Sequence, residues 1–178
     1  MAIKNIINFA FFQIVWFLSV ILQNQFYLPV FVTLVAIFLH DRYVVTDRRE
    51  WIGVFIVVLI GVLADSFFTL IGVLAFYHVS LIPIWLVCIW IVFSMTLCHG
   101  LSWLAERYVV AAVLSAFAGP LSYIAGSRLS GGNVALGDPV WLSVVFLSFF
   151  WLLMVPFSLF LMNKLMTSKR LMVQGLNL

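Results

Sequence analysis

Apolar residues run almost continuously along the chain and are interrupted by short polar stretches. Six apolar segments can be drawn, at residues 6–22, 26–40, 51–76, 83–104, 108–127 and 139–163. A helix needs about 20 apolar residues to cross a hydrocarbon core of roughly 30 Å. The pattern therefore predicts an all-α, polytopic membrane protein, with a bundle of six transmembrane helices that forms a single domain over residues 1–178.

The composition strengthens this prediction. Hydrophobic residues make up 66% of the chain and charged residues only 8%, whereas charged residues make up about a quarter of a soluble globular domain. The expected partner is membrane lipid. A net charge of +3 does not suggest nucleic-acid binding.

The basic residues are unevenly distributed over the connections. With a cytoplasmic N-terminus, eight of the nine lie on the cytoplasmic side: Lys4, Arg42, Arg48, Arg49, Arg107, Lys164, Lys169 and Arg170. Only Arg128 lies outside. Because positive charge in short loops sets orientation, both termini of this multi-pass protein are expected to be cytoplasmic.

Asp65 is a carboxylate near the middle of the third segment. It lies 14 residues from Trp51, or about 21 Å along a helix, and a charge at such depth costs on the order of 3 kcal/mol. Small or aromatic residues share its helix face, and small residues mark close packing: Gly53, Gly61, Phe68 and Gly72. Asp65 is therefore expected to face the bundle interior, as either a structural hydrogen-bond acceptor or a proton carrier.

The fifth segment combines small residues with a proline. Ala111, Ser115, Gly119, Ser122 and Gly126 line one side. Pro120 lacks an amide donor and its ring collides with the carbonyl of Ala116, so the helix is expected to be interrupted and kinked there, opening the bundle toward Asp65. Pro156 is expected to bend the last helix. Such kinks build polar sites in some membrane proteins, although ordinary helices also bend around their neighbours.

Depth along each helix, at about 1.5 Å per residue, groups the polar side chains into two layers. Asp65 is level with Ser122, Tyr123 and approximately Trp90, whereas Thr96 and His99 lie in a second layer nearer the cytoplasm. Asp65 is expected to bond the hydroxyl of Ser122 or Tyr123, and not to touch His99. The candidates for ligand binding or proton carrying are therefore Asp65, Trp90, Thr96, His99, Ser122 and Tyr123.

The aromatic residues fall into two groups. Some lie at the ends of the segments, as in the aromatic belts of membrane proteins. Four lie deeper and are expected to pack between helices or to line a cavity: Trp16, Trp90, Tyr123 and Trp151.

The remaining polar residues suggest less specific roles. His40 is expected at the membrane interface rather than as a metal ligand, and Glu50 in a solvated loop. Asn8 and Gln13 need partners in lipid, either other helices or a ligand. Residues 127–138 contain three glycines and are expected to form a flexible outer loop. No metal site or cofactor is predicted, because the sequence lacks a HExxH metal motif.

Three stretches, ADSFFTLIGVLAF, IPIWLVCIWIVFSMTL and AGPLSYIAG, resemble an uncharacterised proteobacterial inner-membrane family, domain of unknown function 2878. The likeness covers nearly the whole chain and implies a bacterial inner-membrane location. The matching motif positions are Asp65, Pro83, Trp85, Trp90, Thr96, Trp103, Gly119, Pro120, Ser122, Tyr123 and Gly126.

The leading functional hypothesis is a small transporter-like or lipid- or metabolite-binding bundle, with a polar site near Asp65 between the third, fourth and fifth helices. One alternative is an intramembrane enzyme acting on lipid, with Asp65, His99 or Tyr123 in acid–base roles. Another is a structural partner of a second membrane protein, or of a second copy of this chain. The sequence identifies no catalytic residue.

Overall fold

The computed structural model of the chain describes residues 2–23, 25, 27–77 and 81–175, and for residues 2, 4 and 168–175 it describes the backbone alone. Phe26, the predicted start of the second segment, the side chains of Lys4, Lys169 and Arg170, and the C-terminal Leu178 lie outside the described parts. The helices are α1 (Ala2–Ile21), α2 (Tyr27–Tyr43), α3 (Glu50–Leu70), α4 (Ile84–Thr96), α5 (Tyr108–Leu129) and α6 (Val140–Gly175), with two short strands, β1 (Leu74–Phe76) and β2 (Val134–Leu136). These six helices confirm the predicted helical class.

Three of the described helices are long and apolar enough to cross a membrane: α3, α5 and the Val140–Thr167 part of α6. The Asn5–Ile21 part of α1 and the whole of α4 are apolar but shorter. This pattern indicates membrane association.

Helix α4 lies at the centre of the bundle. It packs against α1, α2 and α3, and α5 pairs closely with α6. Nine of its thirteen residues are buried, and Trp90 near its middle reaches both α3 and α6. A helix buried on most of its faces is hydrophobic all round, which is why α4 shows no amphipathic pattern in the sequence.

The third predicted segment was too long, because the helix ends at Leu70 and not at residue 76. Gly72 takes a φ of 76°, a left-handed conformation that commonly ends a helix. Strand β1 then pairs antiparallel with β2, inside the stretch that was expected to be a flexible loop. Gly137 is needed beside this pair, because a Cβ atom there would collide with the carbonyl oxygen of Gly72.

This strand pair, the β1–β2 ribbon, defines one end of the bundle, where α3 and α5 end. The opposite end, the Glu50 end, holds the start of α3 and the end of α2. The fourth predicted segment is not one helix throughout. Helix α4 ends at Thr96, and the chain continues as turns and a short 3₁₀ helix at Ser102–Leu104.

The two internal prolines do not interrupt their helices. Helix α5 is continuous through Pro120, and α6 is continuous through Pro156 and extends well beyond residue 163. The predicted interruption of the helix at Pro120 was therefore wrong, whereas the bends predicted at Pro120 and Pro156 stay predictions. Packing against neighbouring helices allows proline within a membrane helix, and α5 packs along much of its length against α6.

Candidate functional site

Asp65 of α3 is fully buried, with 0% of its surface exposed. The Tyr123 hydroxyl donates to its Oδ1 atom at 2.6 Å, and the Trp90 indole N–H donates to its Oδ2 atom at 2.7 Å. The predicted contact with a hydroxyl of the fifth helix is thereby confirmed, with Tyr123 as the donor. One carboxylate thus ties together α3, α4 and α5.

Two tryptophan rings stack beside this carboxylate. The rings of Trp90 and Trp151 are nearly parallel, 6° apart, with centroids 5.3 Å apart. Glycines on two helices make room for them, because a Cβ atom on Gly61 would collide with Trp90 and one on Gly119 with Trp151. The small residues of α3 and α5 therefore accommodate indole rings.

Two adjoining cavities open next to the stacked rings. The smaller, of about 80 Å³, is lined mainly by aromatic side chains, among them Trp16, Trp90, Tyr123 and Trp151. The expectation that these four deep aromatic residues pack between helices or line a cavity is confirmed. The larger cavity, of about 550 Å³, lies between α1 and α5, and Phe93 of α4 and Trp151 of α6 also line it. The walls of both are almost entirely apolar.

A few polar groups line these apolar walls. Gln13 lies on the α1 side of the larger cavity, and Ser122 lines both cavities. The Ser122 hydroxyl donates to the carbonyl of Gly119 at 2.6 Å. The buried indole N–H of Trp151 lies close to the Tyr123 hydroxyl without completing a hydrogen bond to it. These groups could orient a bound molecule.

Thr96 does not join the Asp65 site. Its hydroxyl donates to the carbonyl of Phe93 on its own helix at 2.6 Å, and its side chain is buried. His99 also lies elsewhere, because its ring bonds Glu50 at the other end of the bundle. Among the six candidates, the structure brings Asp65 together with Trp90 and Tyr123. Ser122 lines the smaller cavity beside Trp90 and Tyr123.

A second polar cluster, the His–Glu–His cluster of His40, Glu50 and His99, lies at the Glu50 end. His40 Nε2 is 2.8 Å from Glu50 Oε1, and His99 Nε2 is 3.0 Å from the same oxygen. His40 is only 3% exposed and Glu50 only 2%. The expectations of an interfacial His40 and a solvated Glu50 were therefore wrong. Glu50 begins α3 and points inward because both imidazole rings offer it partners.

Asn8 of α1 supports this cluster from a fourth part of the fold. Its side-chain amide lies 3.2 Å from His40 Nδ1, and its Oδ1 atom accepts the backbone N–H of Gly100 at 3.3 Å. Asn8 therefore follows the helix-to-helix alternative. The sequence did not reveal the cluster because His99 lies 49 residues along the chain from Glu50, and Glu50 stands among other charged residues.

Comparison with known proteins adds the family and nothing on activity. Residues 5–157 match the family model described as a protein of unknown function (DUF2878). No curated protein and no solved structure matches the chain. The match covers most of the chain, so the chain belongs to this family, as its sequence motifs suggested.

Proposed function

We propose that this member of the DUF2878 family is a multi-pass inner-membrane protein that binds a lipid or another elongated apolar metabolite inside its helical bundle. The observation that carries this proposal is the pair of adjoining cavities beside Trp151. Ligand sites in proteins are concave, mostly apolar and typically about 300–1,000 Å³, with a few polar groups that fix orientation. The larger cavity, about 550 Å³, falls within that range.

The position of the larger cavity favours a ligand that enters from the membrane. It is bounded by α1 on one side and α5 on the other, and these two helices share few direct contacts. An apolar chain could therefore slide between them from the lipid phase. The polar lining groups, Gln13, Ser115 and Ser122, would then contact a more polar part of the ligand.

Asp65 has a positioning role in this proposal. Its carboxylate is sealed behind Trp90 and Tyr123, both of which line the smaller cavity. The two hydrogen bonds fix the orientation of both aromatic side chains and hence the shape of the cavity wall. This arrangement favours the acceptor alternative for Asp65 over a proton carrier.

In this proposal the chain crosses the membrane six times, with both termini in the cytoplasm of a bacterium. The charge pattern supports this orientation. Arg128 lies near the end of α5, at the β1–β2 ribbon. Arg42 is near the end of α2 and Arg107 is just before the start of α5, so both lie at the Glu50 end. Cytoplasmic loops carry an excess of basic residues, so the Glu50 end is the cytoplasmic end in this proposal.

Lipid retention by the purified protein tests the binding proposal. The full chain, extracted in mild detergent, would be examined by native mass spectrometry for bound lipid, and the lipids would be identified after extraction. We expect one lipid or apolar metabolite to be retained per chain. An Ala118→Trp variant, which places an indole at the lining of the larger cavity, should lose that ligand.

The matched control is Val113→Trp, on the same helix. Val113 is exposed and does not belong to the lining of the larger cavity, so this variant should retain the ligand. Equal retention by the two variants, or no retention by the parent, would contradict binding in the cavity. In that case the alternative of a structural partner of another membrane protein, or a homo-oligomer, would be favoured.

A further inference from the structure

The His–Glu–His cluster has the chemistry of a metal site, and it lies apart from the proposed lipid cavities. We propose that His40, Glu50 and His99 bind a divalent transition-metal ion of the zinc and iron(II) class. This inference does not depend on the lipid-binding proposal. It concerns the Glu50 end of the bundle, whereas the lipid cavities lie beside Trp151.

The three donor atoms already converge. All lie within 4.8 Å of one another, and Glu50 Oε1 is 2.8 Å from His40 Nε2 and 3.0 Å from His99 Nε2. Ligand bonds of about 2.0–2.1 Å in a tetrahedral zinc site place neighbouring donor atoms roughly 3.3 Å apart. Small side-chain shifts would therefore admit an ion between these atoms.

The donor set selects the class of metal. Two imidazoles and one carboxylate suit zinc and non-haem iron(II), whereas magnesium and calcium prefer sites made only of oxygen. Three protein ligands also leave a coordination position for water or substrate, as in catalytic zinc sites. The ligands come from the end of α2, the start of α3 and the turn after α4, so an ion there would join three parts of the fold.

Burial explains why an ion would be favourable. Glu50 and His40 are almost completely removed from solvent, and burying a carboxylate is costly unless it is paired with positive charge or bound to a metal. Without a metal, Glu50 accepts hydrogen bonds from the two rings. A divalent ion would supply the positive charge directly.

Asn8 gives the proposal a specific consequence. In the structure its Nδ2 atom faces His40 Nδ1, so His40 carries its proton on Nε2 and donates it to Glu50. A metal at Nε2 requires the proton on Nδ1, and there it needs an acceptor. Metal-ligating histidines usually donate this second N–H to a carboxylate or carbonyl, so the Asn8 amide must turn over when the metal binds, and its Oδ1 atom then gives up the bond from the Gly100 N–H. Asn8 is thus a positioning residue.

Cobalt titration of the full chain tests the site. The detergent-purified protein would be treated with a chelator, freed of it, and titrated with Co²⁺ while the visible absorption is recorded. We expect one equivalent to give a ligand-field band that Zn²⁺ abolishes. If the parent gives no such band and retains no Zn²⁺, the proposal is overturned without recourse to any variant.

Variants then assign the ligands. His99→Gln and Glu50→Gln should each weaken Co²⁺ binding at least ~10-fold, whereas Asp41→Asn, at an exposed carboxylate outside the cluster, should bind as the parent does. Asn8→Asp should tighten binding by roughly 10-fold, because a carboxylate accepts the Nδ1 proton without turning over. Parent-like binding by His99→Gln, or unchanged or weaker binding by Asn8→Asp, would overturn the assignment.

Discussion

Replacing Asp65 with alanine is expected to destabilise the fold, whereas replacing it with asparagine should be nearly neutral. Alanine leaves two buried donors, the Trp90 N–H and the Tyr123 hydroxyl, without an acceptor. A buried donor without a partner costs about 1–3 kcal/mol, so the two together amount to roughly 2–6 kcal/mol. Asparagine keeps one oxygen for Trp90 and offers an N–H to the Tyr123 oxygen, so its cost should stay near ~1 kcal/mol.

Thermal unfolding in detergent measures this difference. For a chain of this size, each kcal/mol shifts the midpoint Tm by about 2–4 °C. Asp65→Ala should therefore lower Tm by on the order of 10 °C, and Asp65→Asn by at most about 4 °C. If Asp65→Ala unfolded within a degree or so of the parent, the two hydrogen bonds would not stabilise the fold. If Asp65→Asn lowered Tm as much as Asp65→Ala, the ionised charge itself would be needed.

Three further predictions concern packing, hydrogen bonding and topology. Gly119→Ala should lower Tm measurably because its Cβ atom collides with Trp151, while Gly126→Ala, with open space around it, should unfold like the parent. Tyr123→Phe should destabilise less than Asp65→Ala, because it removes only one of the two hydrogen bonds, and the same Tm assay compares them. A reporter active only in the periplasm should be inactive when fused after Leu178; activity there would contradict a cytoplasmic C-terminus.

A contact between Asp65 and the hydroxyl of Ser122 or Tyr123 could be predicted from the sequence because two independent patterns agree, and the structure selects Tyr123. Glycines at helical spacing placed Asp65 on an inward face, and counting residues from the segment ends placed it level with Tyr123. A single carboxylate in an apolar run is also conspicuous, since it must find partners inside the bundle.

The His–Glu–His cluster could not be predicted in the same way. Glu50 stands in a charged stretch that is typical of a solvated loop. Its side chain is buried because α3 begins at this residue. His99 reaches it because α4 ends at Thr96. That ending depends on the packing of the surrounding helices, and the continuous apolar sequence of the fourth segment does not mark it.

The β1–β2 ribbon was missed for a related reason. Residues 74–76 continue an apolar run, and a short apolar strand cannot be distinguished by periodicity from the last turn of a helix. The pairing is set by contacts between distant segments, such as the backbone bond from the Tyr77 N–H to the Asn133 carbonyl.

Photolabelling shows directly whether a lipid occupies the larger cavity between α1 and α5. The membrane-embedded protein would be irradiated with a phospholipid that carries a photoreactive group on its acyl chain, and labelled peptides would be mapped by mass spectrometry. We expect the label to be concentrated on residues that line the larger cavity, such as Gln13, Ala118 and Ser122, and to be competed away by unlabelled lipid. Label spread over the outward face of α3, at exposed positions such as Leu63 and Phe67, with none in the cavity, would contradict it.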